Sequence, residues 1–217
     1  MRPILEPGRI VEWIADPQPA GELPRHIRRF GYAPSISDLY PGDLILTEPR
    51  VLVFEPISWL IQQYQSRHFL RQDSRWTHAM VHIEDGAIVE VTLEGGVSVG
   101  HIYKYLPTHN ILVRRPTEMN TNQRLQVAIN ARFKIRKRNE GMAIIQFAKY
   151  LLFLCKRSYG SQYMTCSQLY VDSLIAVSGS SMSSVLLNEY VTPAHLSSAT
   201  ELRDVKLNWI KLSQEEV

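Results

Sequence analysis

Residues 77–92, THAMVHIEDGAIVEVT, place the strongest constraint on what this chain can fold into. Two runs rich in β-branched and apolar residues flank a short Glu-Asp-Gly segment. This pattern is typical of a β-hairpin with a three-residue loop. We expect Gly86 to adopt the left-handed conformation that such a loop requires. The sequence therefore predicts an antiparallel sheet built around this hairpin.

The register of the hairpin decides which side chains meet on one face. With a three-residue loop, Ile83 lies opposite Ala87 and Met80 lies opposite Glu90. Because side chains alternate between the two faces of a strand, Glu90 shares a face with Met80 and lies diagonal to His78. A carboxylate in that position could orient the His78 imidazole. An exposed strand residue with no such role explains Glu90 equally well.

His82 lies on the same strand and the same face as His78, which raises the question of a metal site. Four residues of strand separate the two by roughly 13 Å, too far for both imidazoles to bind one ion. No other group of Cys and His residues in the sequence has the spacing of a zinc site. We therefore predict no metal and no other cofactor.

The remaining segments predict helices and further strands of the same sheet. The helices are expected over residues 57–72, 121–139, 142–155 and 166–177, with a short one in 191–202. The strands are expected over residues 43–47, 95–106, 110–116 and 204–212. In the helix over 121–139, Leu125, Ile129, Arg132 and Phe133 mark one side, which is mainly apolar.

These elements predict one α+β domain over residues 41–217, preceded by an N-terminal extension over residues 1–40. The extension is rich in proline and turn residues, and we expect one short helix near residues 10–15. The chain has 217 residues, 45% of them hydrophobic, which is enough for a substantial core. Its net charge of +3 is too small to indicate nucleic-acid binding.

The N-terminus contains no continuous apolar segment of the kind that a signal peptide needs. The most apolar later stretch, residues 143–155, is too short for a membrane-spanning helix and contains Gln146 and Lys149. A cytoplasmic location is the default prediction, and export without a cleavable signal stays open. The use of only two cysteines fits a reducing compartment.

The two cysteines lie in different surroundings. Thr165 is the expected N-cap of the helix over residues 166–177, so Cys166 is its first residue. Unpaired backbone N–H groups and the helix dipole favour a thiolate there. Cys155 follows the apolar run Leu-Leu-Phe-Leu and has the character of a core residue. A helix-start cysteine alone is a weak sign of a nucleophile, because it also needs a base.

The order of these segments, from PGDLILT through THAMVHI and IVEVT to YMTCSQL and VTPAHL, resembles the circularly permuted branch of the NlpC papain-like superfamily. The resemblance covers roughly residues 40–200. YiiX-like proteins are the group it is most similar to, and lecithin:retinol acyltransferase-like enzymes are more distant relatives. The implied fold is permuted papain-like, with an antiparallel sheet or half-barrel packed against helices and a nucleophilic cysteine at a helix N-terminus.

The resemblance implies a role for individual residues. The family's histidine matches His78, its nucleophile matches Cys166, and its third polar residue matches Glu90. The aromatic residue shortly before the nucleophile matches Tyr163, which would line the substrate site. Trp76, just before the histidine strand, is a second candidate for that role, with packing in the core or at its rim as the alternative.

The implied activity is that of a thiol hydrolase, a peptidase or amidase, that cleaves an amide or ester bond through a thioester acyl-enzyme. Its substrate would be a peptide, a peptidoglycan-type peptide or a lipid acyl group. The alternatives are a lipid acyltransferase or thioesterase of the same fold, and a non-catalytic binding domain. The basic residues in 132–138 predict a weak contact with an anionic membrane surface, although a solvated helix face explains them as well.

Overall fold

The computed structural model describes residues 23–51, 55–92, 96–136, 164–178 and 191–212, together with the backbone of residues 13–18. Within these ranges, none of the helices has the length and apolar character needed to cross a lipid bilayer. The predicted helix over residues 142–155 lies outside the described residues, as does Cys155.

Strands and helices are interspersed along the described part of the chain without a regular repeat. The strands are β1 (Trp13–Gln18), β2 (Tyr32–Pro34), β3 (Leu44–Pro49), β4 (His78–Glu84), β5 (Ala87–Thr92), β6 (Gly96–His101), β7 (His109–Pro116), β8 (Leu202–Asp204) and β9 (Trp209–Leu212). The α-helices are α1 (Arg25–Phe30), α2 (Pro56–Gln65), α3 (Arg71–Ser74), α4 (Thr121–Phe133), α5 (Cys166–Ser178) and α6 (Pro193–Ser198).

The main sheet has six strands in the order β6-β5-β4-β3-β7-β8, and every neighbouring pair is antiparallel. The β4–β5 hairpin lies inside this sheet, with β3 on one side and β6 on the other. Met80 pairs with Glu90 across the hairpin, as the sequence predicts. The α+β architecture with an antiparallel sheet packed against helices is therefore confirmed.

The loop of the hairpin differs from the prediction. Asp85 and Gly86 both have positive φ, 45° and 77°, so they form a two-residue turn of the type that matches strand twist. Glu84 instead of Ile83 pairs with Ala87, and the register shifts between His82 and Glu84. A bulge near Ile83 thus replaces the third loop residue, and the Met80–Glu90 register is the same in both arrangements.

The two faces of the main sheet pack against different partners. Leu44, Leu46, Ala79 and Val81 belong to a core that includes side chains of α4 and α5. Ile45, Met80 and Val113 belong to a second core with side chains of α1 and the C-terminal segment; these include Ile27, Leu207 and Trp209. By strand alternation, His78 and Glu90 lie on the second face with Met80.

A small three-stranded sheet, in the order β1-β9-β2, closes the second core. β1 is parallel to β9, whereas β2 is antiparallel to it. The short helix expected near residues 10–15 is therefore wrong, since β1 begins at Trp13. Residues 25–40, assigned to the extension, contribute α1 and β2 to this layer and bury Ile27. Pairing with a strand near the other end of the chain explains why local pattern missed β1.

The helix predicted over residues 57–72 is interrupted: α2 ends at Gln65 and α3 begins at Arg71. Gln65 is fully buried, and its side chain explains the interruption. Its Nε2 atom donates to the carbonyl oxygens of Ser74 and Trp76, and its Oε1 atom accepts from the Ala194 N–H. The chain must turn back for these bonds to form.

The apolar side predicted for the helix over residues 121–139 is also wrong. In α4, Leu125 is 44% exposed and Phe133 is 63% exposed, whereas Val127, Ala128 and Ala131 are buried against α5. The small alanine side chains allow the two helices to approach closely. The α-helix ends at Phe133 and continues as a 3₁₀ turn over residues 134–136.

Candidate active site

Cys166 is the first residue of α5, as predicted. The Thr165 hydroxyl caps the helix by accepting a hydrogen bond from the Gln168 N–H at 3.2 Å. The first N–H groups of a helix have no acceptor within the helix, and the dipole is positive at this end. The half-buried thiol thus lies at a position where negative charge is stabilised.

His78 is the first residue of β4 and pairs with Thr47 of β3. Its Nε2 atom lies 3.2 Å from Oε2 of Glu90, and interaction with the Cys166 thiol raises the pKa of the imidazole. Because Nε2 faces the carboxylate, Nδ1 is the ring nitrogen left for the thiol. His78 therefore connects the nucleophile candidate to Glu90, with 21% of its side chain exposed.

Glu90 is a buried carboxylate, with 2% of its side chain exposed. Its Oε2 atom accepts from His78 and from the Tyr105 hydroxyl, and its Oε1 atom accepts from Lys104 Nζ at 2.9 Å. A buried carboxylate with three donors is stable as an anion. The predicted diagonal contact between Glu90 and His78 is confirmed as a contact.

The electrostatics of these three groups reinforce one another. Burial opposes charge on His78, but hydrogen bonds to Cys166 and Glu90 outweigh it and raise its pKa to about 9. Burial likewise opposes charge on Glu90, and hydrogen bonds from His78, Tyr105 and Lys104 lower its pKa to about 2. Burial also opposes a Cys166 thiolate, yet His78 and the Ala79 N–H lower its pKa below that of an ordinary thiol. The directions favour a thiolate–imidazolium pair next to a carboxylate.

His82 has the same strand and face as His78 but takes no part in this group. Its Nδ1 atom lies 3.0 Å from the Tyr40 carbonyl oxygen, and its Nε2 atom accepts from the Gly86 N–H at 3.1 Å. Burial lowers its pKa, so it is a neutral core histidine. His195 also lies outside this group: it is part of the N-terminal cap of α6, where Nδ1 accepts from the Thr192 N–H.

The two residues predicted to contact substrate have different outcomes. Tyr163 lies outside the described residues. Trp76 is 1% exposed and packs in the core between the main sheet and α5, so its ring does not line a cleft. We therefore correct the interpretation of Trp76 from a substrate-binding residue to a core residue.

Sequence reasoning missed Lys104 and Tyr105, the two additional partners of Glu90. The segment over residues 95–106 was predicted as one strand, but β6 ends at His101 and a 3₁₀ turn follows over Ile102–Lys104. This turn directs both side chains back to the hairpin. The sequence after Val99, Gly-His-Ile-Tyr-Lys-Tyr-Leu, continues a strand-like pattern and gives no signal of this turn.

The basic segment over residues 132–138 is described only in part. Arg132 forms an exposed ion pair with Glu84 at 3.3 Å, and Lys134 forms one with Asp172 at 3.2 Å. Both cationic side chains are therefore paired with carboxylates of the same chain. Residues 137 and 138 lie outside the described part of the chain.

Comparisons with known proteins relate the chain by structure alone. No family model matches it, and no curated protein matches it. Among solved structures, it is similar to the crystal structure of the metalloprotein YiiX from Escherichia coli O157:H7. The similarity covers 77% of this chain and 97% of YiiX, with a TM-score of 0.53 and 15% sequence identity.

The fold is YiiX-like. YiiX is described as a metalloprotein, so we tested whether the described residues of this chain suit a metal. Within the described ranges, no three His, Cys, Asp or Glu side chains are grouped so that they could hold an ion. The Glu90 oxygens are already occupied by protein donors. We therefore derive no step through a metal.

Proposed function

We propose that this chain is a cysteine hydrolase that cleaves an amide or ester acyl bond, with the circularly permuted papain-like arrangement of the NlpC superfamily. Cys166 would be the nucleophile, His78 the general base and acid, and Glu90 the residue that orients His78. One observation carries the proposal: a single imidazole is hydrogen-bonded to a buried carboxylate, and the pKa values of that imidazole and of a helix-start thiol are shifted by their mutual interaction.

The arrangement supports a two-step reaction. The Cys166 thiolate attacks the carbonyl carbon of the substrate, and the backbone N–H groups at the start of α5 stabilise the oxyanion that forms. The His78 imidazolium gives its proton to the leaving nitrogen or oxygen, and the bond to that atom breaks. This leaves a thioester on Cys166 and a neutral His78.

The second step restores the enzyme. His78 removes a proton from water, which attacks the thioester, and the thiolate leaves as the carboxylic acid product forms. Glu90 accepts a hydrogen bond from Nε2–H throughout, without taking the proton, and so fixes the tautomer that presents Nδ1 to the thiol and to water. An amine or alcohol in place of the water would give acyl transfer instead of hydrolysis.

The experiment that tests the proposal is acyl trapping with p-nitrophenyl acetate on the full chain carrying Cys155→Ser. We expect a burst of p-nitrophenol and a hydroxylamine-labile acetyl group, located on Cys166 by peptide mass spectrometry. His78→Ala should abolish the burst, and Cys166→Ala should remove both the burst and the label. His82→Gln, which changes a histidine outside the site, should leave the burst in place.

A second measurement separates an enzyme from a binding domain that merely keeps the fold. In the unmodified chain, iodoacetamide should alkylate Cys166 well before Cys155 at neutral pH. Equal and slow alkylation of both thiols, together with the absence of a burst, would show that Cys166 is not activated and would end the hydrolase proposal.

A further inference from the structure

The carboxylate of Glu90 is held by more donors than orientation of a histidine needs. Oε2 receives His78 and the Tyr105 hydroxyl, whereas Oε1 receives Lys104 Nζ at 2.9 Å. Both oxygens are thus occupied, and rotation of the carboxylate would break bonds to two other side chains.

Gly100 of β6 provides the space that this arrangement requires. It pairs with Ile88 and lies diagonal to Glu90 on the neighbouring strand. A Cβ atom at Gly100 would come within 2.7 Å of Glu90 Oε1, closer than real Cβ contacts allow. Only a residue without a side chain lets Oε1 stay where Lys104 reaches it.

Tyr105 is more deeply buried than Lys104, and this difference indicates how much each side chain contributes to holding the Glu90 carboxylate. Tyr105 is 7% exposed, and its ring packs 6.0 Å from the His78 ring between ring centroids. Burial and the charge of Glu90 raise the pKa of Tyr105, so its hydroxyl stays protonated and remains a donor. The Lys104 side chain is 54% exposed, so solvent screens its charge and weakens its effect.

We propose that Tyr105 and Lys104 are positioning residues of the active site, which fix the Glu90 carboxylate on His78 and keep it ionised through the space that Gly100 leaves. This inference rests on the proposed function, because it assigns these residues to the same His78–Cys166 pair. Neither side chain is a catalytic residue in this assignment, since each acts through Glu90.

The physical consequence is an extension of activity toward acid pH. When a donor is removed, burial raises the pKa of Glu90, and the carboxylate takes up a proton at a higher pH than before. His78 then loses its anionic partner, and the thiolate of Cys166 loses its imidazolium. The pH below which the Cys166 thiol loses its reactivity therefore shows whether Glu90 has its hydrogen-bond donors.

The test measures the rate of Cys166 alkylation by iodoacetamide from pH 4 to 9 in the Cys155→Ser background. For Tyr105→Phe, which keeps the ring, we expect the acid limb of the profile to move up by about one pH unit. Lys104→Met should move it by less, and the double variant by at least as much as Tyr105→Phe. Gly100→Ala should resemble Tyr105→Phe.

Matched controls show whether the effect belongs to Glu90. Lys104→Arg keeps the cation and should leave the acid limb in place. Tyr103→Phe removes a phenol two residues away whose ring packs on His101, 4.3 Å between centroids, and should also leave it in place. Thermal unfolding of each variant shows that it is folded, and the exposed Lys104 variants keep the test usable if Gly100→Ala does not fold.

Two results would overturn the inference in distinguishable ways. Profiles of Tyr105→Phe and Lys104→Met that superimpose on the parent, while Glu90→Gln shifts, would remove the positioning role and leave the proposed function standing. A parent profile with the pKa of an ordinary thiol that is unchanged by Glu90→Gln would remove the proposed function and the inference together.

Discussion

His78 and His82 occupy the same strand and the same face of the hairpin, four residues apart, yet their surroundings are opposite. His78 is hydrogen-bonded to a carboxylate, and its interactions with that carboxylate and with the Cys166 thiol raise its pKa to about 9. His82 contacts a backbone carbonyl and a backbone N–H, and burial lowers its pKa. Position in a strand pattern therefore does not distinguish a reactive histidine from a structural one; the chemistry of the partners does.

The difference arises from where each residue lies along β4. His78 begins the strand, where the start of α5 and the partner strand β5 bring side chains to it. His82 lies near the turn, where Tyr40 and Gly86 present backbone groups. Glu90 completes the contrast: it pairs with Met80 and so lies diagonal to both histidines, but its carboxylate is hydrogen-bonded to His78.

The largest expected effect is on the reactivity of Cys166. At pH 6 an ordinary thiol with a pKa of about 8.5 is only ~0.3% thiolate, so removal of its imidazolium partner should slow alkylation on the order of 100-fold. We expect this loss for His78→Gln in the Cys155→Ser background, measured with iodoacetamide at pH 6. His82→Gln should retain the parent rate within a few-fold, and equal losses in both variants would erase the contrast between the two histidines.

The titration of the two imidazoles should differ by more than two pH units. In the folded protein, NMR of the ring carbons should give His78 a midpoint near 9. His82 should titrate below the ordinary value of about 6.5, because its folded pKa is lowered. Variants His78→Gln and His82→Gln assign the signals. A His82 midpoint above that of His78 would reverse the comparison.

A smaller effect concerns stability and belongs to His82. His82→Asn shortens the side chain, leaves the Gly86 N–H without its acceptor and removes one of two donors to the Tyr40 carbonyl, at a cost of about 2 kcal/mol in the free energy of unfolding. Urea denaturation at pH 7 measures it. His78→Gln, whose side chain is partly exposed, should cost less.

The pH dependence of the His82 contribution has a definite sign. Its folded pKa is lowered, so the unfolded chain binds the proton more strongly. The contribution is complete above the unfolded pKa of about 6.5 and is lost as the pH falls toward the folded value. The stability of His82→Asn should therefore decline less between pH 7 and pH 5 than that of the parent. An identical decline in both would contradict the neutral assignment.

Much of the candidate site could be predicted because it rests on local rules. Period-two alternation placed His78, Met80 and Glu90 on one face, and this survived the error in the loop, since the bulge near Ile83 compensates for the missing loop residue. The Thr165 cap placed Cys166 at the start of α5. Both inferences need only the geometry of one strand or one helix end.

The remaining features depend on contacts between distant segments, which no local pattern contains. Which side of α4 is buried depends on its packing against α5. The small side chains of Ala128 and Ala131 are buried there, whereas the larger Leu125 is exposed. β6 ends at His101, before residue 106, where its apolar pattern predicts the end of the strand. The 3₁₀ turn that follows brings Lys104 to Glu90. The interruption after α2 follows from bonds between Gln65 and the backbone of two other segments.

The smallest expected effect sharpens the comparison from the side of Cys166. Thr165→Ala removes the bond to the Gln168 N–H and should lower the free energy of unfolding by about 1 kcal/mol. Because the cap fixes where α5 begins, we also expect Cys166 alkylation to slow a few-fold and the NMR midpoint of His78 to fall, with that of His82 unchanged. Thr165→Ser keeps a capping hydroxyl and serves as the control. If both midpoints moved equally, the raised pKa of His78 would come from the sheet as a whole and not from the thiol that α5 brings to it.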